Sequence, residues 1–221
     1  MNVLNLNITF DLETCALCPT AAVMSIGAVA WNALAEGNPF TYGLLGETSF
    51  YRHVDLRSSF VDGFTFDEKT SKWWATQNNE AKKSLLDYDE KPLLPIDSVI
   101  EDFFGFIAYV RDENSAKELK LWSQGTDFDI AILTNICNKY GIDCPVSYKN
   151  FRDHRTFFME GAEIFCDKKG LVLDRKKAYE LVNEYDEPGE PHNPVYDCKR
   201  SIYSTWQMMK HLRGLNFSEK E

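Results

Sequence analysis

The first strand of the fold is encoded by the stretch Asn5-Leu6-Asn7-Ile8-Thr9-Phe10-Asp11-Leu12-Glu13-Thr14. Apolar and polar residues alternate from Leu4 to Phe10, which predicts a half-buried β-strand. Asp11 and Glu13 lie two positions apart, so a continuing strand points both carboxylates to the same face. Like charges at this spacing repel and raise each other's pKa, which favours binding of a cation. Two solvated carboxylates at a strand end explain this stretch equally well.

Length and composition indicate one globular domain. The chain has 221 residues, of which 44% are hydrophobic and 26% are charged, as is ordinary for a protein with a substantial core. No repeat or convincing domain boundary interrupts it, so we predict a single domain over residues 1–221. No apolar run approaches about 18 residues and no basic region precedes an apolar block. We therefore expect no membrane span, no secretory signal and a cytoplasmic protein.

The net charge of −10 limits the contacts that the chain can make with nucleic acid. A protein that holds a long nucleic acid by its backbone usually carries a basic surface, and this composition is acidic. An acidic chain can still act on nucleic acid where metal ions bring the positive charge. We therefore expect a short binding footprint that depends on the metal. A homodimer is compatible with the sequence, but nothing in the sequence indicates one.

Cys15 and Cys18 form one C-x-x-C pair among the six cysteines. No second pair follows at the spacing of a zinc ribbon. A redox pair and half of a zinc site are the functional interpretations of this pair. Free thiols in a reducing cytosol are the interpretation that we favour.

Three more strands are predicted from apolar runs. Residues 22–31 form a near-continuous apolar run and residues 50–55 alternate, so we predict an antiparallel meander with the first strand. Residues 119–123 predict a further strand, which a glycine turn connects to a helix. This turn places a carboxylate at the helix N-terminus, where an aspartate that only caps the helix is an equal explanation. The local sequence does not distinguish Asp127 from Asp129 in this position.

Two helices are predicted between the third and fourth strands. Residues 67–86 have a helical pattern, with Asp67 or Thr70 as the N-cap. A second helix is expected to follow, with Asp97 or Ser98 as its N-cap.

Trp73 and Trp74 are adjacent in the first of these helices. On a helix surface, one of the two side chains packs inward and the other lies nearer the rim. Packing in the core or at a domain contact is the simpler interpretation of the pair. Stacking on a nucleobase is the functional interpretation.

The C-terminal part contributes a histidine and an aspartate. Residues 146–158 contain the end of a strand or the start of a helix, and residues 177–185 predict one short helix. His192 precedes the last helix, which ends at Gly214, and Asp197 lies in its first turn. A lone histidine in such a loop is usually just exposed, so its importance depends on the other motifs.

In chain order, the motifs resemble those of the DnaQ-like, or DEDDh, 3′–5′ exonucleases. The three motifs are Phe10-Asp11-Leu12-Glu13-Thr14, Gly125-x-x-Phe128-Asp129-x-x-Ile132-Leu133 and His192-x-x-x-x-Asp197. Further segments are similar to the phage exonuclease A proteins and to related bacterial exoribonuclease-like proteins: Lys72-Trp73-Trp74-x-x-Gln77-x-x-x-Ala81, Arg152-Asp153-x-Arg155-Thr156 and Tyr196-Asp197-Cys198. The resemblance extends from about residue 8 to about residue 210. Cys15 and Cys18 depart from the family pattern, and residues 166–190 contain none of its motifs.

The resemblance implies a ribonuclease H-like α/β fold. Its mixed five-stranded sheet has three antiparallel and two parallel strands and is flanked by helices. The family's carboxylate follows the phenylalanine, which selects Asp129 over Asp127.

The resemblance also implies a metal site and a general base. Two divalent cations, Mg²⁺ or Mn²⁺, are the expected cofactors, with Asp11 as the bridging ligand and Glu13, Asp129 and Asp197 as the other ligands. His192 is the expected general base, which takes a proton from the attacking water. The residues expected to bind substrate are Thr14, Met24, Trp73, Trp74 and Gln77.

We therefore predict a metal-dependent 3′–5′ exonuclease that hydrolyses phosphodiester bonds at the 3′ ends of single-stranded nucleic acid. DNA is slightly favoured over RNA. An exoribonuclease that acts on RNA 3′ overhangs or short oligoribonucleotides is the alternative, because a contact with the 2′-hydroxyl cannot be read from one sequence. A noncatalytic nucleic-acid-binding module of the same fold is an alternative of another class, but it has no need of four converging carboxylates.

Overall fold

Five strands form one mixed sheet in the order β3-β2-β1-β4-β5. The structure is a computed structural model that describes residues 4–86, 93–172 and 175–215. The strands are β1 (Leu6–Thr14), β2 (Val23–Asn32), β3 (Ser49–His53), β4 (Lys120–Ser123) and β5 (Phe151–Asp153). The first three are antiparallel neighbours, while β4 is parallel to β1 and β5 is parallel to β4. The predicted fold class is confirmed.

Helices flank the sheet on both faces. They are α1 (Leu56–Val61), α2 (Glu68–Thr76), α3 (Asn79–Leu86), α4 (Ile96–Glu113), α5 (Ala131–Tyr140), α6 (His154–Lys169), α7 (Arg175–Glu180) and α8 (Pro194–Arg213). Residues from α4 and α5 form the larger core cluster with one face of the sheet. Helix α8 packs on the other face and shares a second cluster with β2 and β4.

Strand β1 is buried on both faces, so the prediction of a half-buried strand is wrong. Its apolar residues pack toward α4, where the rings of Phe10 and Phe103 lie 5.5 Å apart. Its polar residues Asn7 and Thr9 are equally buried, on the face of α8. The indole nitrogen of Trp122 donates to Oδ1 of Asn7 at 2.8 Å, and that of Trp31 donates to Oγ1 of Thr9 at 3.0 Å. These hydrogen bonds offset the cost of burying the polar row.

His154 completes this buried polar network. Its Nε2 lies 2.8 Å from Oγ1 of Thr9, and its Nδ1 lies 2.7 Å from Oγ1 of Thr205 on α8. Burial lowers the pKa of His154 to about 3. The ring is therefore neutral at working pH and links the sheet to the last helix.

The helix predicted over residues 67–86 is divided into α2 and α3. Asp67 is the N-cap of α2, because its Oδ2 accepts a 3.1 Å hydrogen bond from the backbone nitrogen of Thr70. Gln77 has extended backbone angles and ends α2, and α3 begins two residues later at Asn79. The period of the apolar residues did not reveal this break.

The predicted start of α4 is wrong. The helix begins at Ile96 after Pro95, earlier than caps at Asp97 or Ser98 require. Pro95 makes no side-chain hydrogen bond to the helix. Asp97 lies instead in the first turn, where a negative charge is favourable near the positive end of the helix dipole.

The C-terminal elements agree with the prediction except for the bounds of one short helix. Residues 146–158 contain both the strand end and the helix start, because β5 leads directly into α6. The short helix expected at residues 177–185 is α7, which ends at Glu180. The last helix ends before Gly214, as predicted. Within the described parts of the chain, no helix is long and apolar enough to cross a membrane.

Candidate active site

The C-terminal end of β1 carries Asp11 and Glu13 on the face toward α8. The register pairs Asp11 with Gly27 and Glu13 with Ser25 of β2. Glu13 is buried, with 7% of its surface exposed, and Asp11 is half-buried. Both carboxylates thus continue the row of polar residues, Asn7 and Thr9, that faces α8. They lie where the apolar residues of α8 no longer cover this row.

Gly27 allows the start of α8 to approach the sheet. A Cβ atom at this position would lie 2.6 Å from the backbone nitrogen of Val195 and 2.7 Å from the carbonyl carbon of Pro194. The side chain of Asn193 caps the helix by accepting hydrogen bonds from the backbone nitrogens of Val195 and Tyr196. This close approach brings Asp197, in the first turn, beside β1.

A π-helical turn at Thr126–Ile130 positions the next carboxylate. Oδ1 of Asp129 accepts a 3.2 Å hydrogen bond from the backbone nitrogen of Leu12, between the two carboxylates of β1. Asp129 is buried, with 3% of its surface exposed, whereas Asp127 is exposed. The structure therefore brings Asp129, and not Asp127, into the cluster.

Asp153 and Arg155 hold this turn from the start of α6. Oδ2 of Asp153 accepts a 2.9 Å hydrogen bond from the backbone nitrogen of Thr126, and its Oδ1 caps α6. A guanidinium nitrogen of Arg155 donates to the carbonyl of Gln124 at 2.8 Å. No role was predicted for these two residues from the sequence, although they belong to the segment Arg152-Asp153-x-Arg155-Thr156 that supports the resemblance.

Burial and mutual repulsion raise the pKa values of three of the carboxylates. Burial raises the pKa of Asp11 well above its usual value, and the charges of Asp129, Glu13 and Asp197 raise it further. Burial, followed by repulsion from Asp197 and Asp129, raises the pKa of Glu13 to about 8. Burial also raises the pKa of Asp129 to about 7, although the Leu12 hydrogen bond opposes this shift. Ionisation of all these buried carboxylates is unfavourable without a cation. A bound cation makes their ionisation favourable.

The donor set fits divalent metal ions. Clustered carboxylate oxygens are the ligands that Mg²⁺ and Mn²⁺ prefer. Glu13, His192 and Asp197 offer ligand atoms that all lie within 4.8 Å of one another. All six cysteines are free thiols, and across the described ranges the candidate metal cluster does not include Cys15 or Cys18.

His192 is fixed beside Asp197 by its own backbone. The backbone nitrogen of His192 donates to Oδ2 of Asp197 at 2.9 Å. A guanidinium nitrogen of Arg200 lies 3.4 Å from the other oxygen, Oδ1. His192 has a φ of 67°, a left-handed conformation that costs free energy in a residue other than glycine. The contacts around this loop therefore have to hold it in place.

The two adjacent tryptophans pack against His192. Its ring centroid lies 5.0 Å from that of Trp73 and 5.7 Å from that of Trp74, both in edge-on orientations. The indole nitrogen of Trp74 donates to the carbonyl of Thr14 at 3.0 Å. Trp73 remains 45% exposed. The pair therefore connects the first and third motifs and leaves one ring accessible.

The other residues expected to bind substrate make contacts within the protein or are half-buried. The hydroxyl of Thr14 donates to the carbonyl of Ala16 at 2.8 Å. The amide of Gln77 donates to the carbonyl of Trp73 at 3.2 Å. Met24 is half-buried at a β-bulge, where the register shifts between Glu13 and the next residue of β1. Their part in substrate binding stays a prediction.

Two residues of β3 extend the same face of the sheet. Asp11, Gly27 and Tyr51 form one row across three strands, and Glu13, Ser25 and His53 form the next. Burial raises the pKa of Tyr51 to about 12, and the charge of Glu13 contributes. The sequence contained a signal for them, because the alternation in β3 puts both on one face.

Comparison with known proteins agrees with this arrangement. The profile of the 3′–5′ exoribonuclease Rv2179c-like domain matches residues 6–207. An exodeoxyribonuclease of Enterobacteria phage T4 is 24% identical over an alignment of 221 positions, which covers 96% of this chain and 92% of that protein.

Two solved structures have a similar fold. The nuclease domain of 3′hExo, a DEDDh family member bound to rAMP, has a TM-score of 0.55 and 14% identity, covering 100% of this chain and 99% of that chain. Cell-death related nuclease 4 (CRN-4) has a TM-score of 0.59 and 15% identity, covering 95% of this chain and 64% of that chain. The predicted superfamily and the prediction of an enzyme rather than a noncatalytic module are confirmed. The chain belongs to the 3′–5′ exoribonuclease Rv2179c-like domain family and is a 3′–5′ exonuclease of the DEDDh superfamily.

Proposed function

We propose that the chain is a two-metal 3′–5′ exonuclease that acts on unpaired 3′ ends, with His192 as its general base. One observation carries this proposal. Four carboxylates from β1, from the turn before α5 and from α8 converge at one end of the sheet: Asp129 accepts a hydrogen bond from the backbone of Leu12, and Glu13 and Asp197 offer oxygens within 4.8 Å of each other. Burial, and then the charges of Asp129, Glu13 and Asp197, raise the pKa of Asp11 well above its usual value. A binding protein would gain nothing from such a destabilising cluster.

The carboxylates would hold two divalent cations, Mg²⁺ or Mn²⁺. Asp11 is the proposed bridging ligand, because its pKa responds to the charges of the other three carboxylates. Glu13, Asp129 and Asp197 would complete the ligand set. The four negative charges then balance the four positive charges of the ions. When bound, the ions supply charge neutralisation at the scissile phosphate and at the leaving oxygen.

His192 is suited to remove the proton of the attacking water. Its hydrogen bond to Asp197 fixes the loop at the carboxylates, and its ring is held edge-on by Trp73 and Trp74. His154 cannot take this role, because both of its ring nitrogens are engaged and its pKa is lowered to about 3. General-base catalysis contributes roughly 10²–10⁴ to the rate of such reactions.

DNA is the substrate that we favour, because the exodeoxyribonuclease of phage T4 aligns with 96% of this chain. RNA is the second candidate, because the matching family is described as an exoribonuclease domain. Discrimination between the two depends on contacts with the 2′-hydroxyl. Competition between matched DNA and RNA strands of one sequence measures this preference directly.

The test of the proposed function is a labelled-strand assay. Matched single strands of DNA and RNA, labelled at the 3′ or the 5′ end, are incubated with Mg²⁺ or Mn²⁺. We expect 3′-labelled strands to release labelled mononucleotides at once, and 5′-labelled strands to shorten stepwise. Internal cleavage, or no cleavage with either metal, would contradict the proposal.

A further inference from the structure

A cleft of about 630 Å³ leads away from the carboxylates. Asp11 and Asp197 line one end of it, and the rest runs between α6 and α8. The outer wall of the cleft consists of residues 179–191, which are the end of α7 and the segment after it. This is the part of the chain in which the sequence contained no family motif.

The outer wall is attached to α8 by specific contacts. The side chain of Gln207 accepts a hydrogen bond from the backbone nitrogen of Asn183 at 3.0 Å and donates to its carbonyl at 2.9 Å. Nε2 of His211 lies 2.7 Å from the carbonyl of Leu181. Gly189 lies so close to the ring of Tyr196 that an added Cβ would collide with it. The cleft is therefore a built feature of the fold.

The lining of the cleft suits a short piece of nucleic acid. Arg155 of α6 and Arg200 of α8 bring positive charge near the carboxylates, and the guanidinium of Arg200 lies 5.9 Å from the ring centroid of Tyr196. Further along α8, Ser201 and Ser204 line the cleft, and the hydroxyl of Ser204, which donates to the carbonyl of Arg200 at 3.2 Å, can still accept a hydrogen bond. Guanidinium groups bind phosphate, and hydroxyl groups bind phosphate or sugar oxygens.

The two sides of the carboxylate cluster differ in shape. On one side, Trp73, Trp74 and His192 form a packed aromatic group in which the ring of Trp73 is 45% exposed. On the other side lies the open cleft. A strand that is cut at its 3′ end needs a continuous path only on the 5′ side of the scissile phosphate.

We propose that this cleft binds the nucleotides immediately 5′ of the scissile phosphate, about one or two of them by its volume. The inference rests on the proposed exonuclease function and adds the direction of the strand. The outer wall carries four exposed carboxylates, at Glu184, Asp186, Glu187 and Glu190. These charges repel further phosphates, so contact with the strand ends soon after the cleft.

The experiment changes the charge in the middle of the cleft. Ser204→Glu and Ser204→Lys are compared, because this residue lines the cleft beyond the carboxylates. Ser147→Glu is the matched control at an exposed position outside the cleft. The substrates are an unpaired decanucleotide and the p-nitrophenyl ester of thymidine 5′-monophosphate, which has no nucleotide on the 5′ side.

We expect opposite effects from the two charges. The ratio of kcat/KM for the decanucleotide to kcat/KM for the ester falls about tenfold in Ser204→Glu and rises in Ser204→Lys, because each charge lies near a substrate phosphate. The control leaves this ratio at the wild-type value. Equal changes for both substrates, or the same change in both Ser204 variants, overturn the inference.

Binding separates the inference from the proposed function. Anisotropy of a fluorescent decanucleotide is measured with Asp11→Asn protein that also carries each Ser204 change. We expect weaker binding with Glu and tighter binding with Lys. If the wild type cleaves neither substrate but binding follows the charge, the proposed function fails and the cleft assignment stands. Binding that ignores the charge at residue 204 removes the cleft from the substrate path.

Discussion

The backbone nitrogen of His192 donates a 2.9 Å hydrogen bond to Oδ2 of Asp197. The position of this carboxylate therefore depends on the backbone of residue 192 and not on its imidazole. The residue also has a φ of 67°, which asparagine adopts more readily than alanine. These two facts allow the chemistry of His192 to be separated from its structural role.

His192→Asn should lower kcat about 100-fold or more, since a general base contributes roughly 10²–10⁴. Affinity for Mn²⁺ should change little, because the proposed ligands are the four carboxylates and the backbone hydrogen bond to Asp197 remains. A clear loss of Mn²⁺ binding would instead make the imidazole, which lies beside Glu13 and Asp197, a metal ligand. Steady-state kinetics and calorimetric titration with Mn²⁺ measure the two effects. His192→Ala is the comparison, and its positive φ should add a loss of thermal stability. Near-normal turnover of the asparagine variant removes His192 from the mechanism.

Gly27→Ala should separate α8 from the sheet. The added Cβ would lie 2.6 Å from the backbone nitrogen of Val195, so the helix start and Asp197 must shift. We expect a loss of about 1–3 kcal/mol in the free energy of unfolding, together with weaker binding of Mn²⁺. Gly105→Ala in α4 is the control, because nothing lies within 4 Å of its added Cβ and alanine favours a helix. Unchanged binding of Mn²⁺ in Gly27→Ala would show that the close approach is not needed.

The metal-free protein should become less stable as the pH rises from about 5 to about 8. The pKa values of Glu13 and Asp129 are about 8 and about 7 in the folded protein, against 4.5 and 3.8 ordinarily, so the folded state binds extra protons in this range. These two groups outweigh the single opposite contribution of His154 below about pH 6.5. Stability is present at low pH and is lost as the pH rises through the folded pKa, by up to about 1.4 kcal/mol per pH unit for each proton.

Thermal unfolding with a chelator, at a series of pH values, measures this slope. Glu13→Gln should flatten it, because the amide does not titrate. Added Mg²⁺ should oppose it, because metal binding favours the ionised carboxylates. A slope that is the same in wild type and Glu13→Gln contradicts the assignment.

His154 should make the protein sensitive to acid. Its pKa is lowered to about 3 by burial, against 6.5 ordinarily, so the unfolded state binds the extra proton between these values. Stability is present above about pH 6.5 and is lost as the pH falls toward 3. His154→Gln, which can still form hydrogen bonds, should reduce this acid loss in urea unfolding. An identical loss in the variant would place the cause elsewhere.

Trp73 and Trp74 should differ in their kinetic effects. Trp74→Phe removes the hydrogen bond to the carbonyl of Thr14 but keeps a ring against His192, so kcat should fall by about two- to tenfold. Trp73→Ala removes an exposed ring, so KM for an oligonucleotide should rise about tenfold if a base stacks there. Steady-state kinetics measures both. Lower thermal stability with unchanged kinetics in Trp73→Ala would return this residue to a packing role.

The sequence predicted the sheet because its signals are local. The alternation in β1 and the apolar run in β2 predicted two antiparallel neighbours, and the two strands pair in this way in the structure. The burial of Asn7 and Thr9 could not be predicted, because their partners Trp122 and Trp31 lie far away in the chain or on another strand. A row of polar residues in a strand predicts a solvent-exposed face unless buried hydrogen-bond partners for these residues are known.

The residues of the proposed site could be named from the sequence, but their geometry could not. The family resemblance selected Asp129 over Asp127, and the π-helical turn buries Asp129 beside Leu12. The contact between His192 and the tryptophans, and the cleft beside residues 179–191, depend on tertiary packing. No periodicity in the sequence encodes such contacts.

The central claim is that four carboxylates, including Asp129, hold the metal ions for removal of nucleotides from the 3′ end. Asp129→Asn and Asp127→Asn make the same chemical change two residues apart, at a buried and an exposed position. The measurement is the Mn²⁺-dependent release of mononucleotides from a 3′-labelled single strand. We predict that release is lost in Asp129→Asn and retained in Asp127→Asn. Wild-type release by Asp129→Asn, or equal losses in both variants, would contradict the claim.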